Sequence, residues 1–178
     1  MRDLSLHILD VAENSINAGA KNITVLLEEN TAKDLLVLEI TDDGKGMTKE
    51  LTSKADEPFT TSRKTRRVGL GLPLLKAAAK IAGGDFKIES AEGKGTKITA
   101  TFQLSNVDRK PIGNIKETII TLIIGNPEVD FKFIHKIDKQ EFIIDTHELR
   151  NMSGYINTFM LTSHLKKELN EKFNFINS

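Results

Sequence analysis

Asp10, Asn14 and Asn17 are the first residues whose types and spacing suit chemistry. A helix turns about 100° per residue, so positions four apart differ by about 40° and positions seven apart by about 20°. A helix through "DVAENSINAGA" (10–20) therefore projects all three the same way, with His7 one turn below. The plainer reading of such a stripe is a wet helix face. The chemical reading is a proton-accepting carboxylate, Asp10, beside a neutral amide oxygen, Asn14, fit for a hard cation. Magnesium takes few protein ligands, prefers oxygen and leaves its other positions to phosphate and water.

Three further stretches carry related possibilities. "TDDGKGM" (41–47) ends a β-rich run with Asp42, placed to accept a hydrogen bond from a flat ring bearing an amine. Gly44 and Gly46 would let that ring lie against bare backbone, and Met47 offers a polarisable wall. Taken alone, Asp followed by Gly-x-Gly is a common turn. "GLGLPLLK" (69–76) opens a helix through Gly69, Leu70 and Gly71, and unsatisfied N–H groups at a helix start form an anion site. It is no dinucleotide fingerprint, because Leu74 stands where glycine is needed; "GKG" (93–95) is no P-loop, because Gly95 stands where Ser or Thr is needed. Just before that helix, "TSRKTRR" gathers Arg63, Lys64, Arg66 and Arg67, a cluster apt for polyphosphate though as often a solvated run.

These residues need elements to hold them. Residues 4 to about 18 have helical spacing, with Leu4, Ile8, Val11, Ala12 and Ile16 inward and Gly19 as the stop. "NITVLLEE" and "LLVLEITDDG" predict an antiparallel hairpin across "NTAKD". Residues 48–68 predict a loop with room for one short helix. Residues 69–84 predict a helix stopped by Gly83-Gly84, and 85–104 a hairpin around "AEGKG". The order implies an α+β two-layer sandwich, a sheet with helices on one face. "SNVDRKPIGN" (105–114) predicts a linker. Beyond it a short helix capped by Asn114, a hairpin turning at Asp138-Lys139 and a helix over 156–173 are expected.

Composition narrows the classes. The 178 residues suffice for one core or a core with an annex. Lys+Arg and Asp+Glu are 25 each, so no net field attracts nucleic acid or an anionic membrane. Without cysteine there is no disulfide or thiolate chemistry. The start of the chain lacks the pattern of a signal peptide, and the longest apolar run, "TIITLIIG", falls short of the roughly 18 residues a membrane span needs. A soluble cytoplasmic protein is expected.

Taken together, the stretches resemble the GHKL ATP-binding superfamily of gyrase-type topoisomerases, a chaperone family, histidine kinases and mismatch-repair ATPases. "DVAENSINAGAKNITV" resembles the N box in its mismatch-repair form, and "DDGKGM" the G1 box. "EPFTTSRKTRRVGLGLPLLKAAAKIAGGDFKIES" with "GKGTKI" resembles the lid, G2 box and closing strands in the histidine-kinase style. The resemblance covers residues 4 to about 104 and implies a Bergerat-type fold over 1–106, with 107–178 as a small α/β annex. It further implies ATP and Mg2+ as cofactors. Asn14 would ligate the metal, and Asp42 would accept from the adenine amine with Thr96 in support through a shared water. Gly44, Gly46 and Met47 would line the base. Asn17, Arg63, Lys64, Gly69, Leu70 and Gly71 would lie around the phosphates. Asp10 stands where hydrolytic members place a glutamate base and is one methylene shorter. Asn17 replaces a lysine frequent in the kinases, and no second-domain lysine is evident. A missing cation costs on the order of 10³ in phosphoryl-transfer rate, so slow hydrolysis is expected.

Three functions follow as expectations. The first is Mg-ATP binding under a lid, with slow hydrolysis, to regulate a partner protein. The second is a protein kinase acting on serine or threonine of a partner, as anti-sigma-factor relatives do. The third is a nucleotide-sensing subunit without chemistry. A complete histidine kinase is not expected, since only a few residues precede the N box. His7 is an unsuitable acceptor, and His135, His147 and His164 lack metal spacing. A protein partner and a homodimer fit the annex; nucleic acid and membrane do not.

Overall fold

The computed structural model describes residues 2–55, 70–153, 163–168 and 170–171. Helix α1 (Leu4–Asn17) begins at Asp3, whose carboxylate accepts from Leu6 N. Its next open donors, Leu4 N and Ser5 N, are satisfied by the Pro111 and Ile112 carbonyls at 2.9 Å each. Strands β1 (Asn22–Asn30) and β2 (Leu35–Asp42) pair as the expected hairpin. Thr48 caps α2 (Lys49–Lys54), a short helix in the described part of the segment expected to be a loop. Then follow α3 (Gly71–Ile81), β3 (Phe86–Ser90) and β4 (Thr96–Gln103).

Beyond the linker come α4 (Ile115–Gly125), β5 (Asp130–Ile137), β6 (Gln140–Asp145) and α5 (Thr146–Ser153). Asn114 caps α4 by accepting from Glu117 N at 3.1 Å, as expected of a short helix over "IKETIITLII". Helix α5 was not expected. Its face is weakly apolar, and side chains fasten it instead: Thr146 Oγ1 accepts from Phe131 N at 2.8 Å, and Arg150 Nη1 donates to Asp130 Oδ1 at 2.6 Å. Of the helix expected over 156–173, residues 163–168 and 170–171 are helical, with Leu165 buried; the rest lies outside the described residues.

The six strands form one sheet in the order β3-β4-β2-β1-β5-β6, with every neighbouring pair antiparallel except β1 and β5. Residues beyond 106 thus extend the sheet that the first half begins. Burial alternates along the strands, as in a sheet covered on one face. Val25, Ile40, Ile98 and Phe133 face the helices, while Thr24, Glu39, Lys97 and Lys132 face away. Helix α1 packs against both α3 and α4, and one core runs from Leu4, Ile8 and Leu38 to Ile119 and Phe133. The fold is the expected α+β sandwich. Among the described residues no helix is long and apolar enough to cross a membrane.

Candidate functional site

The site residues gather along α1 and the strand ends beneath it. Asp10 is half-buried, and Asn14 and Asn17 are exposed on the same side of α1. The Asn17 amide folds back and donates to the Glu13 carbonyl of its own helix. Asp10 leans on the start of α3: a Cβ built on Gly71 would stand 1.6 Å from Asp10 Oδ2. Gly71 is therefore the residue that lets this carboxylate reach the α3 N-terminus. Leu70, at the cap position, is partly exposed and supplies no side-chain cap. Pro73 suits the first turn, where no N–H is required.

At the other end lies Asp42, the last residue of β2 and buried. Its Oδ1 accepts from Gly44 N at 2.9 Å and its Oδ2 from Ser15 Oγ at 2.6 Å. In register it lies opposite Thr96, and Thr96 lies opposite Ser90. Gly46 has φ 63°, and a Cβ there would meet the Ala91 carbonyl at 1.9 Å, so glycine is required on both counts. Met47 is half-buried and its N–H donates to Ser90 Oγ at 2.9 Å. A pocket of about 320 Å³ opens here, with Asp42, Ser90, Gly95 and Thr96 on one side of its wall and Lys94 and Lys97 also lining it.

Backbone bonds lock three loops around that pocket. Lys45 N donates to Ala18 O at 3.0 Å, and Gly93 N to Lys45 O at 2.7 Å. Asp43 fixes the entry to β1, accepting from Lys21 N, Asn22 N and Asn22 Nδ2 at 2.7, 2.9 and 2.7 Å. Burial pushes the Asp43 pKa up, but those hydrogen bonds outweigh it and hold the carboxyl below the usual range.

The fold thus brings Asp10 and Gly71 together at one end, and Asp42, Gly44, Gly46, Met47 and Thr96 at the other. The two ends are joined by the six residues of α1 from Asp10 to Ser15, a rise of about 7.5 Å. Arg63, Lys64 and Gly69, with Arg66 and Arg67, lie outside the described residues. Ser15, Asp43 and Ser90 escaped sequence reading; each acts through a partner distant in sequence, which no local pattern announces. Among the described residues no three His, Asp or Glu gather as a metal cage. His135 Nε2 instead meets Glu29 Oε1 at 2.8 Å, and His147 Nδ1 meets Asp130 Oδ2 at 3.3 Å.

A family model described as "Histidine kinase-, DNA gyrase B-, and HSP90-like ATPase" matches residues 2–106. Sporulation kinase D of Bacillus subtilis is 30% identical over 98 residues, covering 55% of this chain and 19% of that protein. Sensor histidine kinase WalK of the same organism is 32% identical over 106 residues, covering 53% of this chain and 17% of that protein. The chain therefore spans less than a fifth of these curated relatives. Among solved structures, the Aquifex aeolicus MutL ATPase domain complexed with ADP superposes with a TM-score of 0.52 at 15% identity, over 82% of this chain and 63% of that one. The N-terminal domain of a DNA repair protein gives 0.56 at 16% identity, over 81% and 52%. At such identities the two structures speak for the fold.

Proposed function

The chain belongs to the family of histidine kinase-, DNA gyrase B- and HSP90-like ATPases, and we propose that it binds Mg-ATP and uses binding or slow hydrolysis to regulate a partner protein. The observation that carries this reading is the buried Asp42 carboxylate, held from two sides opposite Thr96 and beside the glycines of the 44–46 turn. It suits an amine-bearing base. The phosphates would then run along α1 toward the start of α3, where helix N–H groups favour anions. There Asp10 would accept a proton from the attacking water.

A metal fits the donor set. The exposed Asn14 offers a neutral oxygen on the same face as the Asp10 carboxylate, both hard donors. Asn14 would hold a magnesium ion, which when bound would neutralise phosphate charge. A second reading is phosphoryl transfer, which the word kinase in the names of the two Bacillus relatives supports; the acceptor would be a serine or threonine of a partner, with Asp10 taking the hydroxyl proton.

Phosphate release with Mg-ATP, wild type against Asp10→Asn, tests the proposal once equal ATP binding by both is established. Slow release that disappears in Asp10→Asn supports the hydrolytic switch. Binding without release by either protein favours the kinase or a sensing subunit, which a search for labelled protein in a lysate with γ-labelled ATP separates. No ATP binding by wild type overturns the reading.

A further inference from the structure

One hydroxyl outside the expected site residues is engaged on three sides. Ser90 Oγ accepts from Met47 N at 2.9 Å, donates to Gly95 O at 2.9 Å and lies 3.0 Å from Thr96 Oγ1. A serine hydroxyl has one proton and two lone pairs. The Gly95 carbonyl can only accept, so it takes the proton; the Met47 amide can only donate, so it takes one lone pair. The lone pair that remains faces Thr96. The Thr96 proton therefore points at Ser90, and both Thr96 lone pairs are left for whatever enters the pocket.

The neighbouring strand adds groups of the same sense. Asp42 lies opposite Thr96, and its oxygens already accept from Gly44 N and Ser15 Oγ, so it brings further lone pairs and no donor. This edge of the pocket matches a ring edge that carries N–H donors and opposes one that carries a carbonyl, because two facing acceptors leave both unpaired. A threonine free to rotate would lack this selectivity, since its hydroxyl donates as readily as it accepts.

We propose that Ser90 is a specificity-determining positioning residue, which by holding the Thr96 hydroxyl proton leaves the Asp42–Thr96 edge of the pocket acceptor-only and so selects a 6-amino over a 6-oxo purine nucleotide. This deepens the nucleotide-binding reading above and rests on it. Ser90 need not touch the base; it acts through Thr96.

The test is calorimetric titration of ATP and GTP, each with magnesium, into wild type, Ser90→Ala, Ser90→Thr, Thr96→Val and the double variant. Wild type is expected to favour ATP. Ser90→Ala releases the Thr96 proton to turn into the pocket and narrows the ATP-to-GTP preference about tenfold, chiefly through tighter GTP binding. Ser90→Thr, which keeps the hydroxyl, restores the wild-type ratio. In the Thr96→Val background, Ser90→Ala changes the ratio no further. A serine that only braces the loops would weaken both nucleotides alike in Ser90→Ala, and an unchanged ratio overturns the proposal. Should Ser90→Ala fail to melt cooperatively, Ser90→Cys keeps the volume with weaker hydrogen bonds and is expected to narrow the ratio at least about threefold; no narrowing overturns the proposal. Wild type that binds both nucleotides equally overturns the selectivity alone, whereas wild type that binds neither removes the nucleotide reading and this inference together.

Discussion

Ser15 Oγ donates to Asp42 Oδ2 at 2.6 Å, with both residues buried. A hydrogen bond to a carboxylate is stronger than a neutral one, so the helix that carries Asp10 and Asn14 is tied to the strand end that carries Asp42. Neither half of the site can shift without moving the other.

Ser15→Ala should therefore act at a distance from the helix surface. It leaves one carboxylate oxygen short of a donor in a buried setting, at a cost of roughly 1–3 kcal/mol in unfolding free energy. ATP affinity should fall about tenfold as Asp42 loses its set orientation. Urea unfolding and calorimetry on the same sample check both. Full ATP affinity in Ser15→Ala would mean that Gly44 N alone suffices to hold Asp42.

Gly71→Ala should report on Asp10. A methyl group there would stand 1.6 Å from Asp10 Oδ2, so the carboxylate must leave the start of α3. Phosphate release should drop at least about tenfold, because displacement of a catalytic group by about 1 Å can cost that much or more. Stability should fall by roughly 1 kcal/mol. In the Asp10→Ala background the same substitution should cost nothing, since the clash is gone and alanine is the better helix former. A penalty that persists in the double variant would locate the strain elsewhere.

His7 gives a pH dependence. Its ring is buried, its Nδ1 finds no hydrogen-bond partner among the described residues, and its pKa is lowered from 6.5 to about 4. Burial is the main cause; Asp3 opposes it and Lys110 adds to it. Unfolded His7 binds a proton near pH 5 that the folded ring refuses. The contribution of neutral His7 is thus complete above pH 6.5 and is lost as the pH falls toward 4. At full size it is on the order of 3 kcal/mol. Unfolding free energies at pH 7 and pH 4.5 should differ less in His7→Leu than in wild type. Equal differences in the two proteins would sink this account.

The expected boundary at 106 can be tested by truncation. A chain of residues 1–106 would lose the β5 partner of β1, the α4 cover of α1, and the carbonyls of Pro111 and Ile112 that cap Leu4 N and Ser5 N. We expect it to lose cooperative unfolding and to aggregate through the bare β1 edge. Far-UV circular dichroism through a thermal ramp, with light scattering, would show this. A cooperative melt of 1–106 would make it a domain in its own right.

Where local pattern and tertiary demand coincide, the sequence was readable. The inward residues of α1, the alternation in β1 to β4 and the cap at Asn114 all lie within a few residues of what they control. So did the four motif stretches, whose order identified a family that residues 2–106 bear out. The parallel pairing of β1 with β5 was not readable, because no residue of "DFKFIHKI" encodes which edge it will join. Helix α5 was missed because its fastening to Asp130 and Phe131 comes from single polar side chains and not from an apolar period. Ser15 and Ser90 were passed over for the same reason: a serine's worth depends on what folds against it.

The parallel pairing also orders events in time. Asn22 must wait for Asp130, and Leu4 for Pro111, before either has its partner. On a ribosome that delivers the chain from its N-terminus, the helix bearing Asp10 and Asn14 is made before residues 111–137 and is secured only once they arrive. Until residue 137 emerges, β1 keeps one edge open, a span in which the nascent chain depends on chaperones or on the speed of synthesis. The site is written before the strand that finishes it.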